Sequence, residues 1–116
     1  MDADKTLNVL FVCSMNQWRS PTGEKVFSNR NSLRVRSAGT SSKAKRTVSA
    51  ADLKWANIVF AMEPKHRQRL RADFPGQTKY LELHVLHIPD DYQFMDEELV
   101  EEIVAAVEPI LASKGI

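Results

Sequence analysis

Residues 9–21 read Val9-Leu10-Phe11-Val12-Cys13-Ser14-Met15-Asn16-Gln17-Trp18-Arg19-Ser20-Pro21. An apolar run ends at Cys13, the only cysteine of the chain, and five residues separate this cysteine from Arg19. The apolar residues 7–12 are typical of a central parallel strand that is covered on both faces. Ser20 and Pro21 fit the N-cap and first position of a helix, which we predict to run to about Asn29.

A strand, a short loop and a helix N-terminus together form a common anion-binding arrangement. Backbone N–H groups of the loop point at the anion, and the helix dipole adds positive potential. Arginine adds a planar fork that fits two phosphate oxygens. A thiol in such a place loses its proton easily and becomes a nucleophile. Residues 9–21 therefore predict a covalent phosphate-transfer site.

The rest of the chain alternates between predicted strands and helices. Further strands are predicted at 32–37, 57–62 and 83–88, and further helices at 49–56, 64–73 and 96–113. Residues 32–37 alternate apolar and polar, which indicates an edge strand with one solvent-exposed face. The alternation predicts a parallel sheet with right-handed crossovers. Cys13 follows the first predicted strand and Asp90 the fourth, so both belong at the carboxyl end of the parallel sheet, where ligands bind in such folds.

Composition narrows the class of protein. A single cysteine among 116 residues excludes an internal disulfide and a zinc site built on several thiolates. No apolar run approaches the roughly 20 residues of a membrane span. The first six residues are polar and do not resemble a signal peptide, so we expect a cytoplasmic protein, in which a free thiol survives.

The net charge of +1 conceals an uneven distribution of charge along the chain. Residues 30–79 contain 12 Lys or Arg against 3 Asp or Glu, whereas residues 82–116 contain 1 against 9. Two interpretations stay open. The charges belong either to ordinary solvated faces that have this distribution by chance, or to a basic surface that attracts an anionic substrate.

Four segments resemble the low-molecular-weight protein tyrosine phosphatases. Residues 9–21 resemble the phosphate-binding loop of that family, and residues 36–40 (Arg-Ser-Ala-Gly-Thr) resemble its Ser-Ala-Gly-Thr stretch. Residues 56–62 resemble its third element, and residues 88–92 (Ile-Pro-Asp-Asp-Tyr) its Asp-Pro-Tyr segment. The chain is most similar to a shortened bacterial branch of predicted phosphatases that carries Trp just before the arginine. Pattern and resemblance together imply one three-layer α/β domain over residues 1–116. It would have a flavodoxin-like, four-stranded parallel sheet of order 2-1-3-4 and helices on both faces.

The resemblance also implies roles for single residues. Cys13 would be the nucleophile that forms a phosphocysteine, Arg19 the oxyanion clamp, and Asp90 the general acid and later the base. The phosphate-binding loop would comprise Ser14, Met15, Asn16, Gln17, Trp18, Arg19 and Ser20, with Asn16 bracing the loop and Ser20 hydrogen-bonding the thiolate. Tyr92 is either an aromatic wall of the pocket or a surface anchor. No metal and no cofactor is implied.

Three departures from the family pattern bear on the substrate. The stretch between Thr40 and Arg46 is shorter than in typical members, so part of the pocket wall is missing. Trp18 stands where many members carry a second loop cysteine, which makes a protective disulfide impossible. Asp91 replaces the usual proline and is a rival to Asp90 for the acid role, although we favour Asp90.

The predicted function is metal-independent phosphomonoester hydrolysis, with phosphotyrosine in a protein as the favoured substrate. One alternative is a non-protein anionic substrate such as a nucleotide or, less expected, a nucleic-acid end. Another is a module that binds phosphate without turnover. Arsenate reduction needs further cysteines, which the chain lacks. His66, His84 and His87 show no metal-ligand spacing, and we expect His66 to be solvated within a basic helix.

Overall fold

A four-stranded parallel sheet forms the centre of the computed structural model, which describes residues 6–116. Its strands are β1 (Leu7–Cys13), β2 (Leu33–Gly39), β3 (Ile58–Ala61) and β4 (Glu82–Val85). The strand order is β2-β1-β3-β4, and all three pairings are parallel. The predicted order and the edge position of the second strand are thus confirmed. The first five residues, on which most of the signal-peptide expectation rests, lie outside the described part.

Five helices connect or follow the strands: α1 (Arg19–Phe27), α2 (Ala50–Trp55), α3 (Pro64–Asp73), α4 (Pro75–Thr78) and α5 (Glu97–Ser113). The predicted helices at 49–56, 64–73 and 96–113 are confirmed to within a residue or two. Ser49 and Asp96 cap α2 and α5 through their side chains. The short α4 was not predicted, because Pro75 and Gly76 indicate only the end of the preceding helix. No helix within residues 6–116 has the length and apolar character needed to cross a membrane.

Strand β1 is apolar almost throughout because both of its faces are buried. Alternate side chains of a strand point to opposite faces of the sheet. Val9 and Phe11 pack on the side of α1 and α5, in one core cluster with the buried stripe of α5, which consists of Leu99, Ile103, Val107 and Leu111. Leu10 and Val12 pack on the opposite side, in a second core cluster to which α2 and α3 contribute. The sheet is therefore the middle of three layers, as predicted.

Strand β4 differs from the prediction at its end. The predicted strand covers residues 83–88, whereas β4 ends at Val85. The N–H groups of Leu86 and Ile88 still donate to carbonyls at the end of β3 and just after it, but His87 between them has a φ of 58°. A positive φ is uncommon for a residue with a side chain and interrupts the extended conformation. The chain consequently turns at His87 and carries the residues after Ile88 over the carboxyl end of the sheet.

Candidate active site

The anion-binding loop lies between the last residue of β1 and the first residue of α1. Cys13 ends the strand and is buried, and residues 14–18 form the loop. The predicted helix start, with Ser20 as N-cap and Pro21 at the first position, is wrong, because α1 begins at Arg19. The Ser20 hydroxyl does not cap the helix, since it lies 3.0 Å from the Cys13 Sγ and accepts a hydrogen bond from the Asn16 amide.

The loop directs its backbone N–H groups inward. The carbonyls of Cys13, Ser14 and Met15 accept hydrogen bonds from the N–H groups of Thr40, Ser41 and Lys45, at 2.9–3.0 Å. In a trans peptide the carbonyl and the following N–H point in opposite directions. The N–H groups of residues 14–16 therefore face away from the 40–45 segment, into the loop. Within residues 6–116 no protein acceptor is found for the N–H groups of residues 14–18. These donors are available to an anion.

Asn16 holds the loop in this shape. Its φ of 52° lies in the left-handed region, which asparagine tolerates better than most residues. Its buried side-chain amide donates to the hydroxyls of Ser20 and Ser37, both at 2.9 Å. The loop is thereby tied to α1 on one side and to the edge strand β2 on the other.

Arg19 is buried, and two hydrogen-bond acceptors fix the position of its guanidinium. Its Nη1 donates to the Glu63 carboxylate at 2.6 Å and to the Ile88 carbonyl at 2.8 Å. Burial opposes ionisation of Glu63, but the hydrogen bond and the charge of Arg19 outweigh it and lower the pKa of this carboxyl. Glu63 thus stays ionised at neutral pH and orients the guanidinium.

Asp90 lies in the segment that follows β4, and its side chain approaches Arg19. One of its carboxylate oxygens lies 3.6 Å from the Arg19 Nε, and its side chain is 61% exposed. A small cavity of about 50 Å³ is lined by Cys13, Ser14, Met15, Gln17, Trp18, Arg19 and Asp90. We call it the thiol cavity. Asp91 does not line this cavity.

Two apolar side chains stand exposed at the thiol cavity. Met15 is 40% and Trp18 is 38% exposed, although both are large and apolar. Tyr92 does not line this cavity. Its ring packs against the core on the side of α5, and its hydroxyl is hydrogen-bonded to Glu102. That hydrogen bond to a carboxylate raises the pKa of Tyr92.

His66 corrects an expectation from the sequence. The sequence predicts a solvated side chain, but only 1% of His66 is exposed, because it shares the buried face of α3 with Leu70 at i+4. Burial, together with the positive charge of Arg19, lowers the pKa of His66 to about 4. The ring is therefore neutral at neutral pH.

Hydrogen bonds define the tautomer of this neutral ring. Nδ1 of His66 accepts the Glu63 backbone N–H at 3.0 Å, so the ring proton lies on Nε2. Nε2 lies 2.8 Å from the Ser14 Oγ and donates to it. His66 thus connects α3 directly to the first residue of the loop.

Glu63 and His66 are the two site residues that the sequence analysis missed. Glu63 follows β3 closely and therefore lies at the carboxyl edge of the sheet, where ligands bind in such folds. Its position after a predicted strand could have indicated a site residue. His66 had no comparable signal, since α3 is rich in basic residues and its apolar face is narrow.

Comparison with known proteins identifies solved structures that share this fold. No protein-family model matches the sequence, and no curated protein matches it. Among solved structures, the low molecular weight phosphotyrosine phosphatase VcLMWPTP-2 from Vibrio cholerae O395 has 23% identity and a TM-score of 0.71, over 95% of this chain and 99% of that one. SP-PTP, a low molecular weight protein tyrosine phosphatase from Streptococcus pyogenes, has 17% identity and a TM-score of 0.78, over 93% of both chains.

A third similar structure is the YwlE arginine phosphatase from Geobacillus stearothermophilus. It has 20% identity and a TM-score of 0.70, over 93% of this chain and 95% of that one. The protein thus has the fold of the low-molecular-weight tyrosine phosphatases, as the sequence predicted.

Proposed function

We propose that the protein is a phosphatase of the low-molecular-weight tyrosine phosphatase type, which hydrolyses phosphomonoesters through a phosphocysteine on Cys13. One observation carries the proposal: a thiol, a buried arginine and a carboxylate line one small cavity. The inward N–H groups of the loop bind the phosphate oxygens, and Arg19 clamps two of them.

The proposed reaction has two steps. In the first, the Cys13 sulfur attacks phosphorus in line, the ester P–O bond breaks, and Asp90 gives its proton to the leaving oxygen. In the second, Asp90 takes a proton from water, the water oxygen attacks phosphorus, and the S–P bond breaks. The Ser20 hydroxyl, 3.0 Å from the sulfur, stabilises the thiolate that leaves.

The favoured substrate is phosphotyrosine in a protein. Met15 and Trp18 present exposed apolar surface at the thiol cavity, where the ring of an aryl phosphate would pack. Because a free thiol stays reduced in the cytoplasm, we place the protein there.

The test is hydrolysis of 4-nitrophenyl phosphate under reducing conditions by the wild type and three variants. Cys13→Ser should abolish turnover, and Asp90→Asn should slow it by about 10²–10⁴. Asp91→Asn is the matched control and should retain most activity. If the wild type releases no phosphate, the proposed phosphatase activity is contradicted and the alternative of a phosphate-binding module gains support. A larger loss in Asp91→Asn than in Asp90→Asn would reverse the assignment of the acid.

A second assay sorts the substrates. The kcat/KM values of a phosphotyrosine peptide, a phosphoarginine peptide and a nucleoside monophosphate are compared. We expect the phosphotyrosine peptide to have the highest value, and equal values would contradict tyrosine specificity.

A further inference from the structure

A second and larger cavity adjoins the thiol cavity. Its volume is about 390 Å³, and Ser14 lines both cavities. The other lining residues come from the segment after β2 and from α3: Thr40, Ser41, Ser42, Lys65, His66 and Arg69. The two cavities are therefore neighbours that meet at Ser14, the first residue of the loop.

Hydrogen-bond donors dominate the lining of the second cavity. The Ser14 Oγ accepts the proton of His66 Nε2, so its own hydroxyl proton is left for a ligand. The Ser41 hydroxyl similarly accepts the Lys43 N–H at 3.0 Å and keeps its proton. No Asp or Glu is among the lining residues. Such a lining favours an anion.

Two cations add charge to these donors. Lys65 and Arg69 are one turn apart on α3, and both side chains are more than half exposed. The Lys65 Nζ lies 3.8 Å from Glu63, and the Arg69 Nε is paired with Asp73 at 2.6 Å. The pairing of Arg69 through Nε leaves the two terminal nitrogens of its fork for a ligand.

The segment after Thr40 forms one side of this cavity. The N–H groups of Ser41 and Lys45 donate to the loop carbonyls of Ser14 and Met15, so the segment lies close against the anion-binding loop. Together with α3, this segment presents a donor-rich surface beside the anion-binding loop.

We propose that the second cavity is an anion subsite that takes the carboxylate of an acidic residue next to the phosphorylated residue of a peptide substrate. This inference rests on the proposed function and names its substrate more closely. A nucleotide fits less well, because none of the lining residues is a Phe, Tyr or Trp on whose ring a base would stack.

The test uses two phosphotyrosine peptides that differ only beside the phosphotyrosine, with Glu on both sides in one and Gln in the other. We expect the wild type to have a kcat/KM about 3–10-fold higher for the Glu peptide, since exposed ion pairs are individually weak. High salt should reduce this ratio.

Two double variants test whether the preference for the Glu peptide depends on the cations of the second cavity. Lys65→Gln with Arg69→Gln should bring the ratio of the two peptides close to about one. Arg67→Gln with Arg71→Gln removes the same charge from the same helix but not from the second cavity, and should keep the wild-type ratio. An unchanged ratio in the first variant, or an equal loss in the second, overturns the subsite. So does a higher kcat/KM for a nucleoside monophosphate than for the Glu peptide.

The subsite can be tested even if the proposed function fails. Hydrolysis of 4-nitrophenyl phosphate reports the proposed function alone. Binding of the two peptides to Cys13→Ser reports the subsite without turnover, and equal Kd values for the Glu and Gln peptides overturn it.

Discussion

Replacing His66 with glutamine should change how the stability of the protein depends on pH. Glutamine is neutral at every pH, and its amide carries one hydrogen-bond acceptor and one donor group, as the neutral imidazole ring does. The substitution therefore removes the titration of a buried group that bonds Ser14 and the Glu63 N–H. Any loss of these hydrogen bonds lowers the stability of the variant equally at both pH values and does not affect the comparison.

The pKa of His66 sets the size and sign of the effect. It is about 4 in the folded protein, against an ordinary value of 6.5. Between these values the unfolded chain binds more protons, so the folded state loses stability as pH falls through this range. With these two pKa values, the free energy of unfolding decreases by about 2 kcal/mol when the pH falls from about 7.5 to about 5.

Urea unfolding of both proteins at the two pH values measures this difference. Carboxyl groups that do not interact with His66 titrate alike in both proteins and cancel in the comparison. The wild type should lose about 2 kcal/mol more than His66→Gln on acidification. Parallel losses in the two proteins would refute the reasoning and show that His66 is not held neutral by its buried position.

Two further predictions concern the support of the loop. Glu63→Gln removes the charge that holds Arg19. It should lower the free energy of unfolding by about 1–3 kcal/mol and should lower kcat/KM for an aryl phosphate by about tenfold. Wild-type kinetics in this variant would show that Glu63 does not orient the guanidinium. Gly39→Ala would place a Cβ 2.5 Å from the Ser14 carbonyl oxygen, so the loop must shift, and we expect a loss of activity of about tenfold or more. Gly76→Ala, with no atom within 4 Å of the new Cβ, is its control and should behave as the wild type in the same assay.

Much of the fold could be predicted because its signals are local. The apolar residues of β1 indicate a strand covered on both faces, and the alternation in β2 indicates an edge strand. Ser49 and Asp96 are side-chain caps, and each lies next to the helix that it begins. The start of α1 was predicted wrongly, since the Ser20 hydroxyl bonds the Cys13 thiol instead of capping the helix.

The sequence by itself determined the parallel α/β architecture, the loop after β1 and the candidate roles of Cys13, Arg19 and Asp90. Only the tertiary structure decided how the loop is supported. The contacts of Glu63 with Arg19 and of His66 with Ser14 span 44 and 52 residues of sequence. They depend on how α3 packs against the sheet, which no local pattern specifies. The second cavity has the same origin, because its lining combines the segment after Thr40 with the basic face of α3, which are distant in sequence.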